Sequence, residues 1–312
     1  MAASYRINDT AAYHAREMTS LGWELTICNA LEPPQSPCRS ILRANDTYGA
    51  MLYRHLAAHI PMNAITQVLE IGGGYGFLMR DFLRANPRLS ATMIELSPAM
   101  RAVQRETLTG LPVTFIEDDF FNIDTSLVAG HDLAILNEVA GDFPTLYDCD
   151  PRELTRSSQG LDPVLAKARS IIERYGLAVS EDPYALNIGA IEAVERLAMA
   201  GIPYVFVSEH SCEAAAPDDL APFLDLPRGG APQPIHLKGH CEYTIRFSDL
   251  VRVASECGYR VTRGRYADFL SLDWNERVQF IMSSRSQKEE HEIIRHFIED
   301  IFTYEYIVMA KQ

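Results

Sequence analysis

The 312-residue chain is 47% apolar and 22% charged, and its formal net charge at pH 7 is −14. These fractions are those of a packed globular protein, which excludes disorder as the main state. Nucleic acids and anionic membranes are held by clustered Lys and Arg, so the acidic balance argues against both as partners. No apolar run approaches the roughly 20 residues of a membrane span. The start lacks a signal-peptide core, and we expect a cytoplasmic protein with six free cysteines.

Residues 1–66 are predicted to form a helical N-terminal cap ahead of the main domain, which comprises residues 67–312. Residues 8–10 have the composition of a helix N-cap, and residues 46–60 carry apolar side chains at helical spacing. The proline-rich segment 33–37 separates these two helical regions.

From residue 67 onward, short apolar strands alternate with helical patterns. Strands are predicted at 67–71, 91–94, 113–116 and 132–136, and helices at 77–85 and from Ser97 onward. Such alternation with nearly continuous apolar strands is typical of a parallel sheet covered by helices on both faces. The predicted fold class is therefore α/β, with a Rossmann-like sheet.

An insertion is predicted at about residues 147–185, after the fourth strand, because this stretch begins with a polar, turn-rich segment. A second segment, at about residues 212–240, is rich in Pro and Gly and is predicted to form a lid-like loop. The other predicted elements are helices at 163–175, 186–200, 247–257 and 275–301, and strands at 204–208, 259–265 and 304–310.

The strongest local signal is the glycine-rich segment 72–76, which follows one predicted strand and opens a predicted helix. Glycine is needed where the backbone turns tightly and approaches a ligand closely, although an ordinary β–α turn is the alternative. Phe77 replaces the third glycine of the dinucleotide-binding pattern, and no Lys follows to complete a P-loop. The candidate binding residues here are Gly72, Gly73, Gly74 and Gly76.

Acidic residues follow the next two predicted strands. Glu95 lies 19 residues after Gly76, where a carboxylate can accept hydrogen bonds from a ribose diol; a solvated helix-capping charge is the alternative. Asp118 or Asp119 can accept from an exocyclic adenine amine while Phe120 supports the ring, and we favour Asp119. An acidic loop without a ligand is the alternative there.

In this order along residues 67–138, these segments resemble the class I S-adenosylmethionine-dependent methyltransferases. The resemblance implies a sheet with antiparallel terminal strands and S-adenosylmethionine as the cofactor. It also implies that the glycines face the methionine part of the cofactor, that Glu95 holds the ribose and that Asp119 binds the adenine amine. The implied cofactor-binding residues are Glu70, Gly72, Gly73, Gly74, Gly76, Glu95, Asp118, Asp119, Phe120 and Asn137.

One branch of that superfamily is also similar. Residues 137–144 look like the Asn-Glu…Asp-x-x-Pro segment of the MidA-like group, which is linked to mitochondrial complex I assembly and protein arginine methylation. The resemblance implies a protein arginine N-methyltransferase or an assembly factor as an alternative function. From other classes, the alternatives are a NAD-dependent oxidoreductase and a non-catalytic binding protein.

Glu138 is the candidate catalytic base, because it follows the fourth strand, where ligands of open α/β sheets bind. Its carboxylate can bind an acceptor and remove a proton; a charge at a helix start is the alternative. Asp142 and Glu209 are predicted to contact the acceptor substrate. His210 and His240 are the alternative bases, since the pKa of histidine lies near neutrality.

A zinc site can be drawn from scattered residues, but their spacing lacks a C-x-x-C pair, so no metal site is predicted. The residues concerned are His210, Cys212, His236, His240 and Cys241. The sequence therefore predicts an enzyme that moves a methyl group from S-adenosylmethionine to a nitrogen or oxygen nucleophile of a small metabolite. It does not identify the acceptor or the oligomeric state.

Overall fold

The computed structural model describes residues 5–21, 26–155, 162–224, 226, 229–283 and 286–312. The α-helices in these ranges are α1 (Ala11–Arg16), α2 (Ile27–Ala30), α3 (Tyr48–Leu56), α4 (Phe77–Ala85), α5 (Pro98–Thr107), α6 (Thr125–Val128), α7 (Pro151–Thr155), α8 (Pro163–Tyr175), α9 (Ile188–Met199), α10 (Phe247–Glu256), α11 (Glu276–Ser283) and α12 (Glu289–Thr303). The strands are β1 (Arg6–Asn8), β2 (Gln67–Ile71), β3 (Ser90–Ile94), β4 (Val113–Ile116), β5 (Leu133–Asn137), β6 (Thr145–Cys149), β7 (Tyr184–Leu186), β8 (Tyr204–His210), β9 (Pro234–His236), β10 (Cys241–Tyr243), β11 (Tyr259–Arg265) and β12 (Tyr304–Lys311).

The main sheet has seven strands in the order β11-β12-β8-β5-β2-β3-β4. The parallel part of the sheet consists of β8, β5, β2, β3 and β4. Strand β12 pairs antiparallel with both β8 and β11. In register, Ile71 lies opposite Ile94 and Leu136, and Asn137 lies opposite Ser208. The parallel strands therefore end together at one edge, which is where ligands of open α/β sheets bind.

The apolar strands are continuous because both faces of the sheet are buried. Alternate residues point to opposite sides, so Val68 and Phe206 pack in the cluster that contains α3, α4 and α12. Leu69 and Val207 pack in the second cluster, which contains α9 and α10. The two clusters hold the sheet rigidly between two helical layers and fix the positions of the strand ends.

A second, three-stranded sheet joins the N-terminal segment to the region after β5. Its order is β1-β6-β7, and all pairings are antiparallel. The strands β9 and β10 form a separate antiparallel pair. Among the described residues, no helix combines the length and apolar character that crossing a membrane requires.

Most strands and helices of the main sheet lie where the sequence predicts them, and strand 67–71 and helices 77–85 and 163–175 agree at both ends. Five expectations need correction, and one of them is the helix predicted at 275–301, which is divided into α11 and α12 with residues 286–288 outside both helices. Leu186 lies in β7 rather than in a helix, because its neighbours pair with β6 before α9 begins. The cap contains β1 besides its helices, the polar stretch after residue 147 begins inside β6, and the lid-like loop includes β9. Polar outward-facing positions of short edge strands resemble loops in sequence.

Candidate active site

A cavity of about 560 Å³ lies at the carboxyl edge of the parallel strands, between the strand ends and the N-terminal segment. Most of the site residues predicted from the sequence line it. They are Glu70, Gly72, Gly73, Gly74, Glu95, Asp118, Asp119, Phe120, Asn137, Glu138 and Asp142. The cavity also receives His14 from α1 and Arg196 from α9, which the sequence analysis did not select.

Side chains at Gly72 and Gly73 would collide with neighbouring residues of the protein. A Cβ on Gly72 would lie 2.5 Å from Val139 Cγ2, and one on Gly73 would lie 2.9 Å from Glu70 Cδ. Gly74 has a φ of 51°, in the left-handed region, and its Cβ would point toward Leu21, which also lines the cavity. The bare backbone of this loop is therefore a cradle that a cofactor can approach closely, as the predicted cofactor requires.

Gly76 does not belong to this cradle. It is the N-cap of α4 with a φ of 80°, and its Cβ would lie 3.2 Å from Leu108 Cδ1, next to α5. It is absent from the cavity lining and packs between α4 and α5, and its predicted cofactor contact stays a prediction.

Two buried carboxyl groups lie beside the loop. Burial and the charge of Glu95 raise the pKa of Glu70 to about 8, so Glu70 is mostly protonated at pH 7. Burial also raises the pKa of Glu95, although its oxygens accept hydrogen bonds from the Ser97 amide at 2.9 Å and from Gln104 Nε2 at 3.0 Å. Gln104 Nε2 donates to the Gly74 carbonyl at 2.9 Å as well, which ties the loop to the predicted ribose carboxylate.

The three residues of the acidic turn after β4 differ in how far they are exposed to solvent. Asp118 is exposed, Asp119 is half-buried and Phe120 is buried. The Asp119 carboxylate accepts from the Phe121 amide at 2.9 Å. The guanidinium of Arg196 lies 5.3 Å from the Phe120 ring centroid and donates to the carbonyl oxygens of residues 121 and 123. Arg196 therefore holds this turn in place from α9.

Asn137 is fixed by hydroxyl groups on one side of its amide. Its Oδ1 accepts from Tyr48 at 2.5 Å, from Tyr266 at 3.1 Å and from Ser208 at 3.1 Å. The Nδ2 group, by contrast, lies 3.4 Å from Glu138 Oε1. Because the oxygen is occupied, Asn137 offers its N–H groups to the cavity.

Glu138 follows β5 with a backbone φ of 54°, which is uncommon for a residue other than glycine. Its carboxyl oxygens lie 3.3 Å from the Ile27 amide and 3.4 Å and 3.5 Å from the hydroxyls of Tyr266 and Tyr304. Burial and the charge of Glu209 raise the pKa of Glu138 to about 8. A carboxyl group with a pKa near the working pH is suited to general acid–base chemistry.

Asp142 lies at the mouth of the site, in the short 3-10 turn Ala140–Asp142. Its Oδ1 accepts from Thr10 Oγ1 at 2.8 Å and lies 2.8 Å from His14 Nε2. His240 Nε2 lies 4.0 Å from the same oxygen, and the His240 ring stacks on Tyr13. Burial lowers the pKa of His240. His240 thus lies on the far side of Asp142, outside the cavity lining, and its role as the alternative base stays a prediction.

His210 and Glu209 also lie outside the cavity lining. Burial alone would lower the pKa of His210, but Asp300 and Glu209 outweigh burial and raise it to about 10. A raised pKa makes His210 a weaker candidate for the base than Glu138, and its role as the alternative base stays a prediction. Glu209 Oε2 accepts from the Gly141 amide at 3.0 Å, which holds the 3-10 turn that carries Asp142, and its predicted contact with the acceptor stays a prediction.

Sequence reasoning missed several residues that complete the site. Tyr266 and Tyr304 come from the far end of the chain, and their rings stack with centroids 4.8 Å apart beneath Glu138. Tyr48 is buried in the core, and its hydroxyl donates to Asn137. No local pattern marks these tyrosines, because their contacts with β5 exist only after the sheet has closed.

Residues 50–145 match a family model described as "Putative S-adenosyl-L-methionine-dependent methyltransferase". Over 101 residues the chain is 29% identical to 3-hydroxy-5-methyl-1-naphthoate 3-O-methyltransferase of Streptomyces sahachiroi. This match covers 31% of the chain and 28% of that enzyme, so the chain spans less than a third of the relative's length.

Two solved structures from Burkholderia thailandensis have a similar fold. An uncharacterized protein is 15% identical with a TM-score of 0.54, covering 89% of this chain and 81% of that one. A protein bound to S-adenosyl-homocysteine is 15% identical with a TM-score of 0.52, covering 89% and 78%. The predicted Rossmann-like fold is confirmed by these structures, and the description of the family model agrees with the predicted cofactor.

Proposed function

We propose that the chain is a class I S-adenosylmethionine-dependent methyltransferase that transfers the cofactor's methyl group to a nitrogen or oxygen nucleophile of a small metabolite, which the family-model match over residues 50–145 supports. The observation that carries this proposal is the single cavity in which the glycine cradle, the buried carboxylate Glu95 and the strand-end acid Glu138 meet. The groups proposed to bind the cofactor and the candidate base therefore lie along the same edge of the main sheet.

The cofactor, when bound, supplies an electrophilic methyl group on a sulfonium. In our proposal, the backbone of residues 72–74 lies against the methionine part and Glu95 accepts from the ribose hydroxyls. Asp119, with Phe120 beside it, accepts from the adenine amine. The two hydrogen bonds that Glu95 already accepts leave lone pairs for a diol, since a carboxylate has about four acceptor sites.

Glu138 then removes the proton of the acceptor. Its carboxylate oxygen takes the proton from an N–H or O–H group as the nucleophile attacks, and the raised pKa of about 8 makes that carboxylate a stronger base than an exposed one. Asn137, fixed by Tyr48, Ser208 and Tyr266, presents its N–H groups beside this carboxylate. The hydroxyls of Tyr266 and Tyr304 hold Glu138 in place.

A small acceptor is favoured by the volume of the cavity. About 560 Å³ has to hold both the cofactor and the acceptor, and small-molecule sites are typically about 300–1,000 Å³. The relative from Streptomyces sahachiroi is named as a naphthoate O-methyltransferase. Hydroxylated aromatic acids are therefore the first acceptors to examine.

Calorimetric titration with S-adenosylhomocysteine tests cofactor binding, and incubation with isotopically labelled S-adenosylmethionine and metabolite pools tests transfer. We expect labelled small-molecule products that are lost in Glu138→Gln and kept in Glu117→Gln, a matched change of an exposed carboxylate paired with Arg105. Label found only in protein would reject the metabolite proposal and favour the arginine N-methyltransferase of MidA type, which stays a prediction.

A further inference from the structure

Two histidines and two carboxylates meet at the mouth of the cavity, although they come from distant parts of the chain. His14 lies on α1, Asp142 ends the 3-10 turn after β5, His240 precedes β10 and Glu242 lies within β10. One ligand atom each from His14, Asp142 and His240 lies within 4.8 Å of the other two. Among the described residues, this is a group with the composition and spacing of a metal site.

The individual distances suit a shared cation. His14 Nε2 lies 2.8 Å from Asp142 Oδ1, His240 Nε2 lies 4.0 Å from that oxygen, and His240 Nε2 lies 3.2 Å from Glu242 Oε1. Two ligands that are each about 2.0–2.2 Å from Zn²⁺ in tetrahedral geometry are roughly 3.3–3.6 Å apart. The distances from Asp142 Oδ1 to His14 and to His240 therefore differ from tetrahedral ligand spacing by less than about 1 Å, and Glu242 Oε1 lies beside His240 outside this group of three.

Neighbouring groups hold these side chains in position, as the surroundings of metal sites usually do. Thr10 Oγ1 donates to Asp142 Oδ1 at 2.8 Å and contacts the Asp142 carbonyl at 2.9 Å. The Tyr13 ring stacks on the His240 ring with centroids 4.3 Å apart. The His240 side chain is 3% exposed. Burying an imidazole costs free energy unless its ring nitrogens have polar partners, and a metal ion would be such a partner.

We infer that His14, Asp142 and His240, with Glu242 beside them, bind one divalent transition-metal ion such as Zn²⁺. Two imidazoles and carboxylate oxygen are a ligand set that suits Zn²⁺, Fe²⁺ and Co²⁺. Since His14 and Asp142 line the cavity, the ion keeps a coordination position that faces it. That position takes an oxygen donor, such as a hydroxyl or carboxylate of a ligand in the cavity. Binding of the ion does not depend on the proposed methyl transfer.

The test is calorimetric titration of the full-length chain, free of any affinity tag and treated with EDTA, with ZnCl₂ in a non-chelating buffer. We expect one equivalent to bind. In Asp142→Asn and in His240→Gln the dissociation constant rises at least tenfold. It stays unchanged in His296→Gln, a matched change of an exposed histidine on α12. Thermal unfolding followed by circular dichroism shows whether each variant is folded.

A second readout is the visible spectrum after titration with Co²⁺, whose ligand-field bands report imidazole and carboxylate coordination. The inference is overturned if no equivalent binds, or if the folded Asp142 and His240 variants bind Zn²⁺ as the wild type does. In that case the side chains of His14, Asp142, His240 and Glu242 form a hydrogen-bonded cluster that binds no metal ion. S-adenosylhomocysteine binding is measured separately on the same EDTA-treated chain, so failure of the metal site is distinguishable from failure of the proposed function.

Discussion

A pair of glycine substitutions separates backbone strain from cofactor exclusion. Gly74 in the loop has a φ of 51°, and Gly110, which lies between α5 and β4, has a φ of 79°. Alanine at either position is forced into the left-handed region. A Cβ on Gly110 would meet nothing within 4 Å, and one on Gly74 would meet Leu21 Cδ1 at an ordinary 3.5 Å. Neither substitution therefore creates a clash within the protein.

Both variants should lose the same free energy of unfolding, but only Gly74→Ala should bind S-adenosylhomocysteine more weakly. An L-residue in the left-handed region costs roughly 1–2 kcal/mol, so both Gly74→Ala and Gly110→Ala should unfold with that loss. The new methyl group at residue 74 stands on the cavity wall where the cofactor approaches the backbone. We expect its dissociation constant for S-adenosylhomocysteine to rise at least tenfold, or about 1.4 kcal/mol, while Gly110→Ala binds like the wild type.

Urea unfolding measures the stability of both variants, and isothermal titration calorimetry measures their affinity for S-adenosylhomocysteine. Equal stability losses with a selective loss of affinity in Gly74→Ala agree with the cradle. The reasoning is refuted if folded Gly74→Ala binds the ligand as tightly as Gly110→Ala does, because the backbone at residue 74 would then not face the cofactor.

Three further outcomes are expected. Because Glu138 acts as a carboxylate and its pKa is raised to about 8, the wild-type kcat rises from pH 6 to about 8, and Glu138→Gln lowers kcat by roughly 10²–10⁴; a flat pH–rate profile contradicts this. Burial raises the pKa of Glu70 from its ordinary 4.5 in the unfolded chain to about 8 in the folded chain, so the free energy of unfolding falls as pH rises through that window. Urea unfolding at pH 5 and pH 8 should show a smaller fall in Glu70→Gln, and equal falls reject the assignment. Arg196→Leu releases the turn beside Phe120 and should weaken S-adenosylhomocysteine binding severalfold by calorimetry; unchanged affinity rules out that support.

Local patterns alone determined the central half of the sheet. Apolar runs of strand length, glycines at 72–76 and the capping Ser97, whose side chain accepts from the Met100 amide, are signals contained within a few residues. They placed β2 to β5, the helices α4 and α5 and the carboxylates at the strand ends, but not the short helix α6 between β4 and β5. Because parallel strands end at a common edge, the order of these segments also predicted that Glu95 and Glu138 would line one cavity.

Only the tertiary structure decided which side chains meet across that edge. His14 reaches Asp142 over 128 positions, and Tyr266 reaches Asn137 over 129 positions. It also showed that His210 is flanked by carboxylates outside the cavity, although it follows a strand as Glu138 does. Sequence records spacing along the chain, whereas burial, protonation and contact depend on which distant segments pack together. The glycine loop and the carboxylates proposed to bind the cofactor can therefore be predicted from residues 67–138. The acceptor side of the site is formed by distant segments and can be identified only in the folded chain.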